Sequence, residues 1–328
     1  MDGRDVRTVR RARAGVATTG KRARSDAHRH PMIRSPQARS PFAAALDVFA
    51  RDHADPVAGF FGPDSLTWRV NRETAVYLGG MRALLMQIAH PKVAQGVADH
   101  SNFRDNPLGR LRRTFDTVHA MVFGTRDEAV AAALRLHEVH ARVRGRLADP
   151  INGMTAEYHA NDPELLLWVF ATLVDSSLLS YQTFVEPLRA PEETAFYEEA
   201  RTFATLCGID ADELPPDIAA FRAYVRQVVR GGELVITPTA REIAETLLKG
   251  PPPLYPFQPS NYVLAAGMLP VELRERFGIG WTLPVRATYS IGVRVVRRLV
   301  PHMPDVLRQV PSSRRAARRC ERVTSLAA

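Results

Sequence analysis

The stretch GGMRALLMQIAHPKVAQGVADHSNFRDNPLGRLRRTFDTVHAMVFGTRDEAVAAALRLHEVHARVRG, Gly79–Gly145, decides how this chain folds. Ala, Leu and Met dominate its first third, and a helical pattern runs from Arg72 to His90. Pro91 must interrupt that helix or open a new one at its first turn, with Lys92–Asp99 continuing helically. Ser101–Leu108 reads as a polar connection, and Leu111–Phe123 as helix again. Gly124 stands where a glycine ends a helix. Thr125-Arg-Asp-Glu128 then matches a capping box, so the next helix starts there and runs through Ala129–Leu147 towards Pro150. The stretch is therefore expected to be a helical hairpin, with the rest of the chain packed around it.

Working outward, Ser40–Pro41 signals the start of a helix over Phe42–Asp52, followed by a loop, Asp55–Asp64, rich in Gly, Pro and Phe. Asp162–Pro163 opens Glu164–Val185, which is apolar around most of its circumference and reads as a central helix. Further helices are expected over Glu192–Leu206, Asp217–Val229, Pro238–Lys249, Ser260–Phe277 and Thr288–Val300. Strand alternation is nearly absent, with Glu233–Thr237 the one short extended piece. The expected fold is all-α: one multi-helix bundle of roughly ten helices with disordered basic tails. The expected organisation is a tail over 1–40, a helical domain over 41–311 and a second tail over 312–328.

Apolar residues make up 45% of the 328 and charged residues 24%, ordinary for a globular protein. The net charge of +9 resides in the ends. Residues 1–40 carry eleven Lys/Arg and three Asp, and residues 312–328 five Arg and one Glu, which leaves the body at −3. That distribution argues against sequence-specific nucleic-acid binding and allows a weak membrane-surface contact through the tails. Cys207 and Cys320 lie far apart and form no disulfide framework, as in a reducing compartment. No apolar run follows Arg10–Arg11, and stretches such as Leu165–Leu173 are too short to span a bilayer. A cytoplasmic protein is expected.

The hairpin concentrates the groups that could carry chemistry. It holds His90, His100, His119, His137 and His140, with His159 just beyond. Arg110, Arg113 and Thr114 follow at i, i+3 and i+4 and share one helix face, while His137 and His140 at i, i+3 share another. Measured from the turn, Thr114 and Arg110 stand roughly 15 and 21 Å away, and His137 and His140 roughly 18 and 22 Å. In an antiparallel pair both sets stand at the same height, where a metal or planar cofactor could lie. Spacing alone favours ordinary helix-surface or core histidines, with the arginines paired to Asp105, Asp116 or Glu138. His137-Glu-Val-His140 is one residue short of a zincin helix, Glu-x-x-His is absent, and no phosphate-binding loop or nucleophile elbow occurs. His90, just before Pro91, reads as a charge at a helix C-terminus.

These same residues resemble a known family. RALLMQIAHP (Arg82–Pro91), His100-Ser-x-Phe103, GRLRRT (Gly109–Thr114), FGT (Phe123–Thr125), VHARVRG (Val139–Gly145), Tyr158 with Ala160-x-Asp162-Pro163, and ELLLWVFATL from Glu164 resemble DUF2236 proteins. That oxygenase family includes the rubber oxygenases, or latex-clearing proteins, and the MpaB-type oxygenase of fungal meroterpenoid pathways. The likeness runs from about Phe60 to about Leu214, and more loosely to Val300. It implies an all-α haem-b oxidoreductase that activates O2 and cleaves an isoprenoid double bond oxidatively. An Arg-x-x-Lys-Thr motif on the distal side maps onto Arg110, Arg113 and Thr114. The axial histidine maps onto His140, with His137 as second choice. Two departures stand out. Arg113 replaces the lysine, and no Glu lies between Glu73 and Glu128 to match the proposed base, with Asp99 and Asp105 as the nearest carboxylates. The resemblance thus carries haem binding further than rubber cleavage, and a small apolar terpenoid or lipid is the expected substrate. The alternative is a non-catalytic helical protein that binds haem or lipid.

Overall fold

Ser40 Oγ accepts the Ala43 N–H (3.2 Å) and so starts the first helix where the sequence placed it. The protein is seen here as a computed structural model that describes residues 40–101, 107–147, 151, 156–250 and 252–327. The expected N-terminal tail lies outside them except for Ser40. The described chain is all-α. In order come α1 (Pro41–His53), α2 (Leu66–Asn71), a 3-10 turn (Thr74–Gly79), α3 (Gly80–Ile88), α4 (Pro91–His100), α5 (Pro107–Phe123) and α6 (Arg126–Arg142). A two-stranded antiparallel ladder, β1 (Arg144–Arg146) with β2 (Glu157–His159), precedes α7 (Pro163–Phe184), α8 (Ala190–Leu206) and α9 (Ile218–Arg230). Then follow α10 (Pro238–Lys249), α11 (Gln258–Met268), α12 (Val271–Arg276), α13 (Leu283–Leu299), α14 (Asp305–Arg308) and α15 (Pro311–Ala327).

Among the described residues fifteen α-helices thus stand where roughly ten were expected. Proline accounts for part of the difference. Pro91 does open α4 at its first turn, and Pro270 divides the expected Ser260–Phe277 helix into α11 and α12. Gly79 and Gly80 mark where a 3-10 turn gives way to α3. The ladder was not expected: α6 stops at Arg142 instead of Leu147. The expected extended piece at 233–237 is not a strand, and Thr237 caps α10.

α7 is the axis of the core, as its all-round apolarity implied. Trp168, Phe170, Tyr181 and Phe184 are each no more than 2% exposed, and Trp168 Nε1 donates to the Met86 carbonyl on α3 (3.2 Å). At 22 residues it is long and apolar enough to cross a membrane, unlike the shorter runs read from the sequence; 61% of its most apolar window is buried inside the protein. The Thr74–Gly79 turn, α3, α8 and α13 pack on it. One ion pair crosses this apolar layer. Arg82 on α3, 5% exposed, sends its guanidinium to Asp175 and to Ser176 Oγ (2.7 Å) on α7, and to the Met268 carbonyl (2.9 Å) on α11.

The basic stretch after residue 312, expected as a disordered tail, is helical: it forms α15, which packs on α5. Ser313 and Ala316 are buried, and Arg319 donates to the carbonyls of Val57 (2.9 Å) and Phe123 (2.7 Å). An arginine-rich helix thus closes the C-terminal end of α5, where unpaired carbonyls favour a cation. Both cysteines are free.

Candidate functional site

The hairpin forms as its capping box dictates. Thr125 Oγ1 accepts the Glu128 N–H (3.2 Å) and Glu128 Oε2 accepts the Thr125 N–H (2.8 Å), which orients α6 against α5. Gly124 is not in the left-handed conformation expected of a helix-ending glycine. Its need is steric: a side chain there would strike the Ala120 carbonyl, and Gly59 (φ 76°) approaches the Gly124 carbonyl backbone to backbone.

At the far end of α6 the ladder gathers three histidines. Pairing of Arg144 with His159 carries His159 back alongside the end of α6. His140 is half-buried there and held neutral at physiological pH. Burial first, then the proximity of His137 and His159, pushes its pKa down to about 4. Its Nδ1 and that of His137 are shielded from water and have no hydrogen-bond partner among the described residues. His137 is stacked on Phe42 of α1 (centroids 4.3 Å, 22° between planes), and Gly208 (φ 88°) passes next to its Nδ1. The Asn161 side chain donates to the His137 carbonyl (3.3 Å), while the Asn161 N–H donates to His159 Nδ1 (3.2 Å). Asp162, expected as the cap of α7, accepts the His159 N–H (3.1 Å) instead.

The cationic stripe lies on α5. Arg110 is half-buried, its pKa held below the ordinary guanidinium value by burial and then by Arg113, and among the described residues it forms no ion pair. Arg113 is exposed. Of the ion pairs considered from spacing, Arg112–Asp116 forms at 3.7 Å on the surface, where it is worth little. Thr114 Oγ1 donates to the Arg110 carbonyl (3.2 Å), which leaves its oxygen lone pairs available.

Thr114 also lines a cavity of about 110 Å³ between the Thr74–Gly79 turn, α5, α7 and α8. Its walls are mostly apolar, among them Val76, Phe115, Val118, Val122, Leu173 and Phe196. Besides Thr114, five polar residues break that lining: Thr67, Asn71, Tyr77, Ser176 and Ser177. Thr67 is 4% exposed and its Oγ1 has no partner among the described residues. Tyr77 Oη is 2.6 Å from His119 Nε2 and donates to the Asn71 carbonyl (3.1 Å). Burial raises the Tyr77 pKa and lowers that of His119, so both groups are neutral. Sequence reading missed Thr67, Asn71 and Tyr77 because nothing in their spacing relates them to Thr114.

The two expected sets are therefore placed differently. His137 and His140 come together with His159, and Thr114 joins the cavity. Arg110, Arg113, His137 and His140 do not line that cavity, and no hydrogen bond or ion pair among the described residues joins the arginine stripe to the histidines. His119 proves to be the partner of Tyr77. His100 contacts the Arg144 carbonyl (3.0 Å) and so ties α4 to β1. Asp99 accepts from Tyr158 Oη (2.6 Å), and Glu73, 1% exposed, is paired with Arg308 (2.8 Å). Both carboxylates are committed to structural partners. Phe103 and Asp105 lie outside the described residues.

His90 corrects an expectation. It precedes α4 at 3% exposure, and burial, then Lys92, pushes its pKa down to about 4, so it carries no charge for a helix end. A group with a folded-state pKa below its unfolded value contributes stability above the unfolded pKa. That contribution should fade as pH falls from about 6.5 to about 4, by on the order of 3 kcal/mol. Denaturant titrations across that range check it, and His90→Gln should flatten the slope.

The residues present fit a haem. Among the described residues no group of three His, Cys, Asp or Glu could hold a bare metal ion, whereas a haem iron asks for one side chain. His140 offers a neutral, desolvated imidazole with an unpaired nitrogen, and Arg110 is a cation without a carboxylate partner among the described residues.

Comparison with known proteins bears on the same segment. Residues 68–298 match the family described as ER-bound oxygenase mpaB/B′/rubber oxygenase, catalytic domain. Two mycobacterial proteins, one from Mycobacterium bovis and one from Mycobacterium tuberculosis, both described as uncharacterized, are each 25% identical over 228 residues. Each alignment covers 67% of this chain and 88% of the relative. No solved structure matches significantly.

Proposed function

The chain belongs to the mpaB/rubber oxygenase family and carries its oxygenase catalytic domain, and on that premise we propose that it binds haem b through His140 and oxidises a small apolar substrate of isoprenoid or lipid type. The observation that carries this reading is His140 itself: half-buried, neutral, with a shielded and unpaired ring nitrogen, inside the family-like segment VHARVRG. Bound haem would supply O2 activation. The chain's own residues supply the rest.

Desolvation, with His137 and then His159 close by, keeps the His140 imidazole unprotonated and available to a metal. Arg110 provides a cation suited to stabilising negative charge as it develops on an oxygen, and Thr114 on the same helix face, its proton given to the Arg110 carbonyl, can accept a hydrogen bond. The Val76, Val118 and Leu173 walls select an apolar body and exclude water, and the unpaired Thr67 hydroxyl would receive one polar end. Arg113 keeps the charge of the lysine it replaces and is exposed.

The test is spectroscopic and kinetic. Purified protein mixed with hemin should develop a Soret band with stoichiometric uptake and consume O2 with an isoprenoid substrate. Absence of the band after reconstitution overturns the haem reading. A band without O2 consumption, across isoprenoids and unsaturated lipids, overturns catalysis.

A further inference from the structure

α13 is apolar on two sides. Its inner side is used: Val285 and Val296 pack on the core, and Tyr289 lies over Gly267 of α11, where any side chain would collide with the ring. Its outer side is not. Leu283 is 80% exposed, Ile291 55%, Val295 49% and Leu299 56%. Ile291, Val295 and Leu299 repeat every four residues and so form one stripe along the helix.

Arg294 and Arg298 flank that stripe, and Arg286 and Arg297 stand further round the same helix. Arg286, Arg294, Arg297 and Arg298 are all exposed and, among the described residues, have no acidic partner. Arg294 donates only to the Ser290 carbonyl of its own helix (3.1 Å). From Arg276 to Pro304 the sequence has no Asp or Glu at all. α11 packs along α13, and the turn leading into α11 exposes Tyr255 (42%) and Phe257 (58%).

We propose that the outer face of α13 docks on an anionic lipid surface, with Ile291, Val295 and Leu299 entering the headgroup–acyl boundary and the arginines contacting lipid phosphates. An apolar stripe beside an all-cationic stripe is the pattern of a helix that lies in the plane of a membrane. Aromatic side chains such as Tyr255 and Phe257 suit the same depth. A second copy fits this face less well, because pairing two such helices sets arginines against arginines. A nucleic acid would neutralise the arginines but leave the apolar stripe uncovered. The inference stands on this surface alone and does not depend on haem binding.

Co-sedimentation of the full chain with vesicles tests it. Vesicles of phosphatidylcholine with about one-third phosphatidylglycerol should bind at least ~10-fold better than phosphatidylcholine alone, and salt should weaken the binding. Both the pair Ile291→Asp and Leu299→Asp and the pair Arg294→Gln and Arg298→Gln should reduce that binding at least ~10-fold. All four positions are exposed, so unchanged circular dichroism and melting temperature should accompany the loss. If either pair binds vesicles as the parent does, the basic ends of the chain are responsible and the proposal fails. It fails equally if the parent ignores vesicles, or if the Asp pair only converts a dimer to a monomer in light scattering.

Discussion

Arg82→Met should destabilise the protein by about 3–5 kcal/mol, read as a lower denaturant midpoint with an unchanged slope. The expectation follows from what the guanidinium holds. One side chain bridges Asp175 and Ser176 on α7 and the Met268 carbonyl on α11, at 5% exposure. Removing it leaves a carboxylate that is 22% exposed and a carbonyl without their donor, surrounded by apolar residues. The cost is the orphaned partner more than the lost pair. Arg82→Met combined with Asp175→Leu should therefore recover most of the stability. If the double variant is no more stable than the single, the ion pair itself is the source and this account is wrong. Tyr289 of α13 also senses the Arg82 charge, so the single variant should loosen α13 first in hydrogen exchange.

His140→Ala should abolish the Soret band of the hemin-loaded protein, or shift it to that of loosely bound hemin, and lower O2 consumption at least ~100-fold. Partners that merely orient a ligand are worth about 10–100-fold, so loss of the ligand itself should exceed that range. His137→Ala is the informative companion. His137 is stacked on Phe42 and carries one of the neighbouring potential charges. Its loss should leave the band in place and make His140 easier to protonate, moving the acid end of the activity profile upward. A lost band in His137→Ala with an intact band in His140→Ala would exchange their roles.

Much of the fold was legible because its signals are local. The Thr125–Glu128 capping box, Pro91 and Pro163 at first turns, and the all-round apolarity of Glu164–Val185 each fix a helix end or its burial within a few residues. The misses depended on partners far along the chain. Five arginines after residue 312 read as a solvated tail, yet Arg319 caps α5 through the Phe123 carbonyl. Arg82 and Asp175 meet across 93 residues of chain, and the pattern of neither helix records that pairing.

The candidate site divides the same way. Sequence alone determined an all-α chain with a helical hairpin, an Arg/Thr stripe on one arm and a His pair on the other, because helix period and end signals act over four residues. Tertiary structure alone decided what those groups face. It turned Thr114 into a cavity wall with Thr67 and Tyr77, and used the β1–β2 ladder to set His159 beside His140. It also desolvated the half-buried His140 enough to keep it neutral. The reason is that burial, and with it the protonation state of a histidine, depends on which distant segments exclude water from it, and no spacing along one helix records that.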